Sequence, residues 1–309
     1  MRLAFLAGAL AFAAARLLVR HPRAGQVVRV CRVTADLDQA EAFYRDGLGF
    51  RRLRTEPLHP AVAAAIGQAG TAITQLVMGL GSEEIALVHL GAPGQAYPPG
   101  SQSNDLWFQH IAIVVNDMAA AYERLMRLSP TPISTDGPQR LPPDGIIAFK
   151  FRDPDGHPLE LIEFSPGQGR PIWHMTAPGP CLGIDHSALS VRSTGRSLRF
   201  YRRLGLRIVN RTFNHGPAQS RLDGLPGAQA RISALRPGDA IGPGLELLAY
   251  QPPGRPMPPG PATSCLTDWV TISMLAMDCA EPVMIRDPDG HRILLIPSQR
   301  TAPACGPET

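Results

Sequence analysis

Lysine is almost absent from this 309-residue chain: of 30 basic residues Lys150 is the only lysine, and the rest are arginine. Against 26 acidic residues the formal charge is only +4. No basic block with interleaved aromatics occurs, so no nucleic-acid partner is expected. Long apolar runs are missing too. The longest N-terminal run, residues 3–15, is 13 residues long, whereas a bilayer span needs about 20, so no membrane partner is expected. Five cysteines (Cys31, Cys181, Cys265, Cys279, Cys305) form no CxxC pair. Their odd number suggests neither a disulfide framework nor a zinc knuckle, and buried small apolar side chains are the expected role.

What is abundant is proline (32) and glycine (30), with 44% apolar and 18% charged residues. That composition implies a globular chain of many turns and short strands, long enough for two cores. The opening "MRLAFLAGALAFAAARLLVRHPRAG" has a signal-like apolar core ending in "AAA". Arg16, Arg20 and Arg23 follow it, and positive charge on that side opposes translocation. Residues 1–25 are therefore set aside as a leader. A cytoplasmic location is expected, with export as the alternative if residues 1–15 act as a signal.

The chain repeats itself. "KFRDPDGHPLELIEF" (150–164) returns as "MIRDPDGHRILLIPS" (284–298), with the turn RDPDGH identical. "VVRVCRVTADLDQAEAFYRDGLGFRRL", "FQHIAIVVNDMAAAYERLMRL" and "IDHSALSVRSTGRSLRFYRRLGLRIV" each read as a strand, a capped helix start and an apolar helical stripe. The caps are Asp36, Asp117 and Ser193. Helices are expected near 37–47, 117–128 and 194–204, the first and third ending at Gly47 and Gly205. Further strands are expected near 50–55, 72–78 and 84–90, and near 206–213, 228–235 and 244–250. A fourth unit keeps a strand and the hairpin but has no room for a helix between 276 and 282. Proline-rich linkers separate the units.

The fold expected is α+β: tandem βαβββ modules at 26–92, 107–165, 183–251 and a truncated 268–297, paired into two half-barrels. Along the sequence they fall into domains 26–165 and 183–298, with a tail at 299–309.

This pattern, with "FYRDGLGF" closing a helix and "DPDGHPLEL" forming a hairpin, resembles the vicinal oxygen chelate superfamily of glyoxalases, bleomycin-resistance proteins and extradiol dioxygenases. The resemblance spans roughly residues 27–297. It implies one divalent metal (Zn, Ni, Fe or Mn) held by residues from the first and last strands of paired modules. Carried over position by position, these are His110 and Glu160 in the second module and His186 and Glu246 in the third. The first module has Arg29 and Ala86 in these places, and the fourth has Trp269 and Leu294. Imidazole with carboxylate suits such a metal. A carboxylate on an apolar strand face is costly unless paired or ligated.

Pairing modules in sequence order would split the ligands between two half-sites. A nested arrangement, with modules two and three together and one and four together, gathers all four and is the expectation here. Lys150, Asn214, His215, Gln219 and Arg221 are candidate substrate contacts on strands lining the cup. His59 and His89 have no matched partner and are read as surface residues. The resemblance implies a small-molecule substrate and a monomer or homodimer. It also implies a metal-dependent lyase or isomerase acting on an α-oxo or α-hydroxy carbonyl compound by enediolate chemistry, with Glu160 or Glu246 as base. The alternatives are an Fe(II) extradiol dioxygenase and a metal-free ligand-binding or resistance protein.

Overall fold

The structure is a computed structural model, described for residues 23–91, 96–175, 179–238, 242–259, 265–275, 277 and 281–298. The leader up to residue 22, the tail 299–309 and most of the 276–282 window lie outside these residues.

In chain order the elements are β1 (Ala24–Thr34), α1 (Leu37–Leu48), β2 (Arg51–Pro57), α2 (Pro60–Ala65), β3 (Thr74–Leu80), β4 (Glu83–His89), β5 (Gln109–Val115) and α3 (Met118–Met126). There follow β6 (Thr131–Pro132), β7 (Gln139–Leu141), β8 (Ile146–Arg152), β9 (Pro158–Glu163), β10 (Cys181–Ser190), α4 (Thr194–Arg203) and β11 (Leu206–His215). The last are α5 (Pro217–Asp223), β12 (Gln229–Pro237), β13 (Gly244–Tyr250), β14 (Trp269–Met274), β15 (Val283–Arg286) and β16 (Arg292–Pro297).

Local chemistry explains the helix starts. The side chains of Asp36, Asp117 and Ser193 accept hydrogen bonds from the backbone N–H of Gln39, Ala120 and Arg196, filling donors that a helix start leaves open. The first helix runs past Gly47 to Leu48. It stops at Gly49, whose φ of 79° lies in the left-handed region that glycine enters freely. Two short helices were not expected, α2 and α5. Both have proline in the first turn, where its missing N–H costs nothing. The first strand begins at Ala24, inside the stretch set aside as leader.

The strands form two mixed sheets, neither closed into a barrel. One has seven strands in the order β15-β16-β14-β1-β4-β3-β2. The other has nine, ordered β11-β12-β13-β10-β5-β9-β8-β6, with β7 on β8. The first, here the outer sheet, joins residues 24–89 to 269–297, and the second, the inner sheet, is built wholly from residues 109–250. Sheet membership therefore follows the nested pairing, and the division into 26–165 and 183–298 is one of sequence only. Each sheet centres on an antiparallel pair, β1 with β14 or β5 with β10, flanked on both sides by parallel neighbours.

Strand alternation sorts the apolar residues into two environments. Val30, Leu87, Ile111, Leu161, Leu247 and Ile272, from both sheets, share one core with Tyr44 and Leu198 of the helices. The opposite face of each sheet is a cup with its own smaller apolar cluster.

The repeated RDPDGH turns bolt the sheets together. Asp153 accepts hydrogen bonds from the N–H groups of Asp155 (3.0 Å) and His157 (2.9 Å) and from the Tyr44 hydroxyl on α1 (3.1 Å). His157 sits 2.9 Å from Asp153 through Nδ1 and 3.4 Å from Asp268 through Nε2. Arg32 of β1 pairs with Asp268 at 2.6 Å. Burial opposes a charge on His157, but the Asp153 and Asp268 carboxylates outweigh it and hold the imidazolium well above the usual histidine range. The second turn makes the reciprocal link. Asp287 accepts from the Tyr201 hydroxyl of α4 (3.1 Å), and His291 Nε2 lies 2.9 Å from the Ser190 carbonyl of β10. The identity of the two hexapeptides is thus a property of the sheet junctions.

Candidate metal centre

Strand register brings the four expected ligands to one face of the inner sheet. In one row across the sheet His186 on β10 lies beside Ala112 on β5, and Ala112 beside Glu160 on β9. In the next row His110 on β5 lies beside Ala188 on β10, and Ala188 beside Glu246 on β13. Paired residues of neighbouring strands share a face, and so do residues two apart along a strand. All four side chains and both alanines therefore face the same cup. The alanines, fully buried between the ligands, leave the central space free of side chain.

The ring centroids of His110 and His186 are 5.6 Å apart. Glu160 Oε2 lies 2.9 Å from His110 Nε2 and 3.9 Å from His186 Nε2, and Glu246 Oε2 lies 3.5 Å from His186 Nε2. Donor atoms of His110, Glu160 and His186 all fall within 4.8 Å of one another. Glu246 stands just outside that trio.

Electrostatics separates these groups. Burial drives His110 down to about 4, so its ring is neutral at pH 7. Burial acts the same way on His186, but the carboxylates of Glu246, Asp185 and Glu160 overcome it and hold that ring at about 9. Burial also works against an ionised Glu160, yet Lys150, His110 and His186 outweigh it and keep the carboxyl at about 2. Glu246 moves the other way: burial raises it, the charged His186 ring opposes this only in part, and the carboxylates of Asp185 and Glu160 push it further up.

The donor set fits a divalent metal. The Nε2 atoms of both rings are buried and meet carboxylates, His110 at 2.9 Å from Glu160 and His186 at 3.5 Å from Glu246, without the geometry of a well-formed hydrogen bond, and Nδ1 of His110 is buried with no partner. Buried polar atoms normally make good hydrogen bonds, and two inward-facing ring nitrogens gathered around a carboxylate are donors of the kind that divalent metals take.

Asp185 was not among the residues expected from sequence. Its Oδ2 lies 3.0 Å from His186 Nδ1, and its Oδ1 accepts hydrogen bonds from Trp173 Nε1 (3.0 Å) and Arg236 (3.2 Å). This carboxylate fixes the ring so that Nε2 faces the other ligands, the usual outer support of a ligating histidine. A register shift between Ile184 and His186 marks a bulge here. The bulge lets two consecutive residues serve one site, where a regular strand would send them to opposite faces. The Asp-His dipeptide was the only signal in the sequence.

The substrate candidates divide. A cavity of about 490 Å³ over the centre is lined in part by Lys150, Asn214 and Gln219, but His215 and Arg221 do not line it. Gln219 and Arg221 sit on α5, not on a strand, and Arg221 donates to Gln139 Oε1 at 2.7 Å. Lys150 lies beside Glu160 in the sheet, and its ammonium is buried against Asp223 at 2.7 Å. Gln219 donates to the other oxygen of Asp223, also at 2.7 Å. The single lysine is thus one half of a buried ion pair that flanks the centre. His59 is exposed, whereas His89 is half-buried, with Nδ1 3.2 Å from the Thr34 carbonyl.

Residues 26–161 match the model of the Glyoxalase/Bleomycin resistance protein/Dioxygenase superfamily. Over those residues the chain is similar to this superfamily. No curated protein matches the sequence. Among solved structures, glyoxalase I from Zea mays is similar at 17% identity and a TM-score of 0.57, over 88% of this chain and 92% of that one. A point mutant of the same maize enzyme reaches a TM-score of 0.60 at the same identity and coverage. A candidate dioxygenase from Bacillus subtilis is similar at 15% identity and a TM-score of 0.55, over 90% of this chain and 86% of that one. At such identities the likeness is one of fold. Among the described residues no helix is long and apolar enough to cross a membrane.

Proposed function

We propose that this protein is a metal-dependent lyase or isomerase of this superfamily, acting on a small α-oxo or α-hydroxy carbonyl compound. One observation carries the reading: the buried convergence of His110, Glu160 and His186, whose donor atoms all lie within 4.8 Å of one another. These three residues would hold one divalent ion, and Glu246 would stand beside it. When bound, the ion supplies Lewis acidity to two adjacent substrate oxygens and so acidifies the C–H next to the carbonyl.

The chain's own residues then divide the work. Lys150 and the two imidazoles keep Glu160 ionised and therefore suited to ligation. Glu246, outside the tight trio and raised by burial, has the greater proton affinity and is the better base for the substrate C–H. Asp185 keeps His186 Nε2 aimed inward. Ile146, Ile162, Phe164 and Phe213 line the cup with apolar surface that keeps water from the proton being moved. A volume of about 490 Å³ suits a small substrate.

A second reading has its own support. Two histidines and one carboxylate, with Glu246 apart, is the arrangement of Fe(II) oxygenases, and one fold neighbour is a candidate dioxygenase. The metal content of purified protein, with and without Glu160→Gln, tests both. Deuterium exchange at the carbon beside the carbonyl, in a panel of α-oxo and α-hydroxy compounds, supports the first reading. Oxygen uptake with a catechol supports the second. Equal metal content in wild type, Glu160→Gln and Glu246→Gln removes both and leaves a ligand-binding protein.

A further inference from the structure

The outer sheet has a cup built on the same register. The row Trp269–Cys31–Ala86 occupies the place of His186–Ala112–Glu160, and Arg29–Thr271–Leu294 that of His110–Ala188–Glu246. The space above is larger than over the inner site, about 1060 Å³ against 490 Å³. We propose that this outer cup is a second, metal-free binding site for a neutral, flat, mainly apolar molecule that presents carbonyl or ether oxygens as hydrogen-bond acceptors.

Three observations define that ligand. The floor is apolar: Trp269, Cys31, Leu294 and Val62 line it and share a buried cluster with Ala86 and Val77. The charges on the wall are already used. Arg29 pairs with Glu56 at 2.7 Å and Glu84 at 3.3 Å, and Arg54 with Glu56 at 2.8 Å and Glu84 at 2.8 Å. Each carboxylate bridges both guanidinium groups. Two positive and two negative groups form a closed ring with no net charge, so an ionic ligand would have to break a satisfied pair to find a partner. The unsatisfied groups are donors. Trp269 Nε1 and Arg29 Nε are buried with no partner, and neither can accept a hydrogen bond. Among the described residues lining this cup, no buried side-chain acceptor is left unpaired. A ligand that completes the site therefore brings acceptors. The volume is that of sites for drug-sized molecules, in which a few polar groups orient an apolar body.

Prodan, a neutral naphthalene ketone whose emission shifts to the blue in apolar surroundings, tests this on the full chain. Saturable binding is expected, unchanged by a chelator, with quenching of tryptophan emission that falls in Trp269→Phe, where only Trp107 and Trp173 remain. Loss of one hydrogen bond in that variant should also weaken binding by roughly fivefold. Thr271→Leu enlarges the floor without burying a charge and should weaken binding at least about tenfold by overpacking. Leu294→Arg should do the same, and circular dichroism shows which variants are folded. Anilinonaphthalene sulfonate, an anion of similar size, should bind at least about tenfold more weakly, since Arg29 and Arg54, the arginines among the described lining residues, are already paired. Binding of prodan that is unaffected by Thr271→Leu, or that keeps full tryptophan quenching in Trp269→Phe, places the probe elsewhere and overturns the proposal. Tighter binding of the sulfonate overturns the ligand class.

Discussion

The two sheets share a plan and differ in what stands at four matched positions. In the inner sheet these are His110, Glu160, His186 and Glu246, around two small alanines, Ala112 and Ala188. In the outer sheet they are Arg29, Ala86, Trp269 and Leu294, around Cys31 and Thr271. The inner cup thus concentrates imidazole nitrogens and carboxylates at its centre, while the outer one closes its charges into a ring at the wall and keeps an apolar floor. A shared backbone register fixes where groups meet. Their chemistry decides whether the meeting point attracts a cation or an apolar body.

The sharpest way to break this contrast is Glu160→Gln, which removes charge and keeps shape. Metal affinity should fall by more than about a hundredfold, beyond the loss expected for an outer-shell partner, and turnover should vanish with it. Ala86→Gln, at the matched outer position, should leave metal content unchanged by elemental analysis.

The two bolts between the sheets should also separate. Asp153→Ala strands a buried imidazolium and should cost about 3–5 kcal/mol in a denaturant titration. Asp287→Ala should cost about 1–3 kcal/mol, because His291 leans on a backbone carbonyl and not on a second carboxylate. Equal costs would mean that the His157 charge contributes nothing.

Asp185→Asn keeps the bulge but loses the carboxylate. Metal affinity should drop by about ten- to a hundredfold. His186 should titrate lower than its present value of about 9, as a histidine-resolved NMR titration would show.

The pH dependence follows with a definite sign. Without metal, His186 carries a proton below about 9, and ligation must displace it. His110 takes up a proton only near 4. Apparent metal affinity should therefore fall by about tenfold for each pH unit between 9 and 4, and more steeply below that. A curve flat between pH 8 and 6 would show that His186 is not a ligand. The raised value also stabilises the metal-free protein below the unfolded histidine range near 6.5. That contribution should be lost as pH rises through 9, but not in the metal-loaded form.

The smallest effect concerns Glu163, on the other face of β9 from Glu160. Its carboxylate accepts from the Met118 N–H at the start of α3. Glu163→Gln should therefore cost up to about 1 kcal/mol of stability and leave metal binding intact.

Much of this was legible in the amino-acid order. Apolar alternation, cap residues and glycine breaks are local signals, and they located most strands and the three longer helices within a few residues. The resemblance to the superfamily, carried over by position within the repeat, brought His110, Glu160, His186 and Glu246 together as candidates. The helix at Pro217–Asp223 was missed because a polar "NHGPAQSRLDG" run carries turn residues and too little apolar periodicity to betray one short helix. That error put Gln219 and Arg221 on a strand. Lys150 drew notice as the lone lysine, but its partner Asp223 lies 73 residues away and carries no motif. The sequence by itself determined the kinds of element and their order, because these depend on neighbours along the chain. Only the tertiary structure decided that residues 109–250 share one sheet, that a bulge sets Asp185 behind His186, that RDPDGH is a bolt, and that the outer cup is left large and neutral. Those outcomes depend on register between strands far apart in sequence, and on which buried charges find each other once water is excluded.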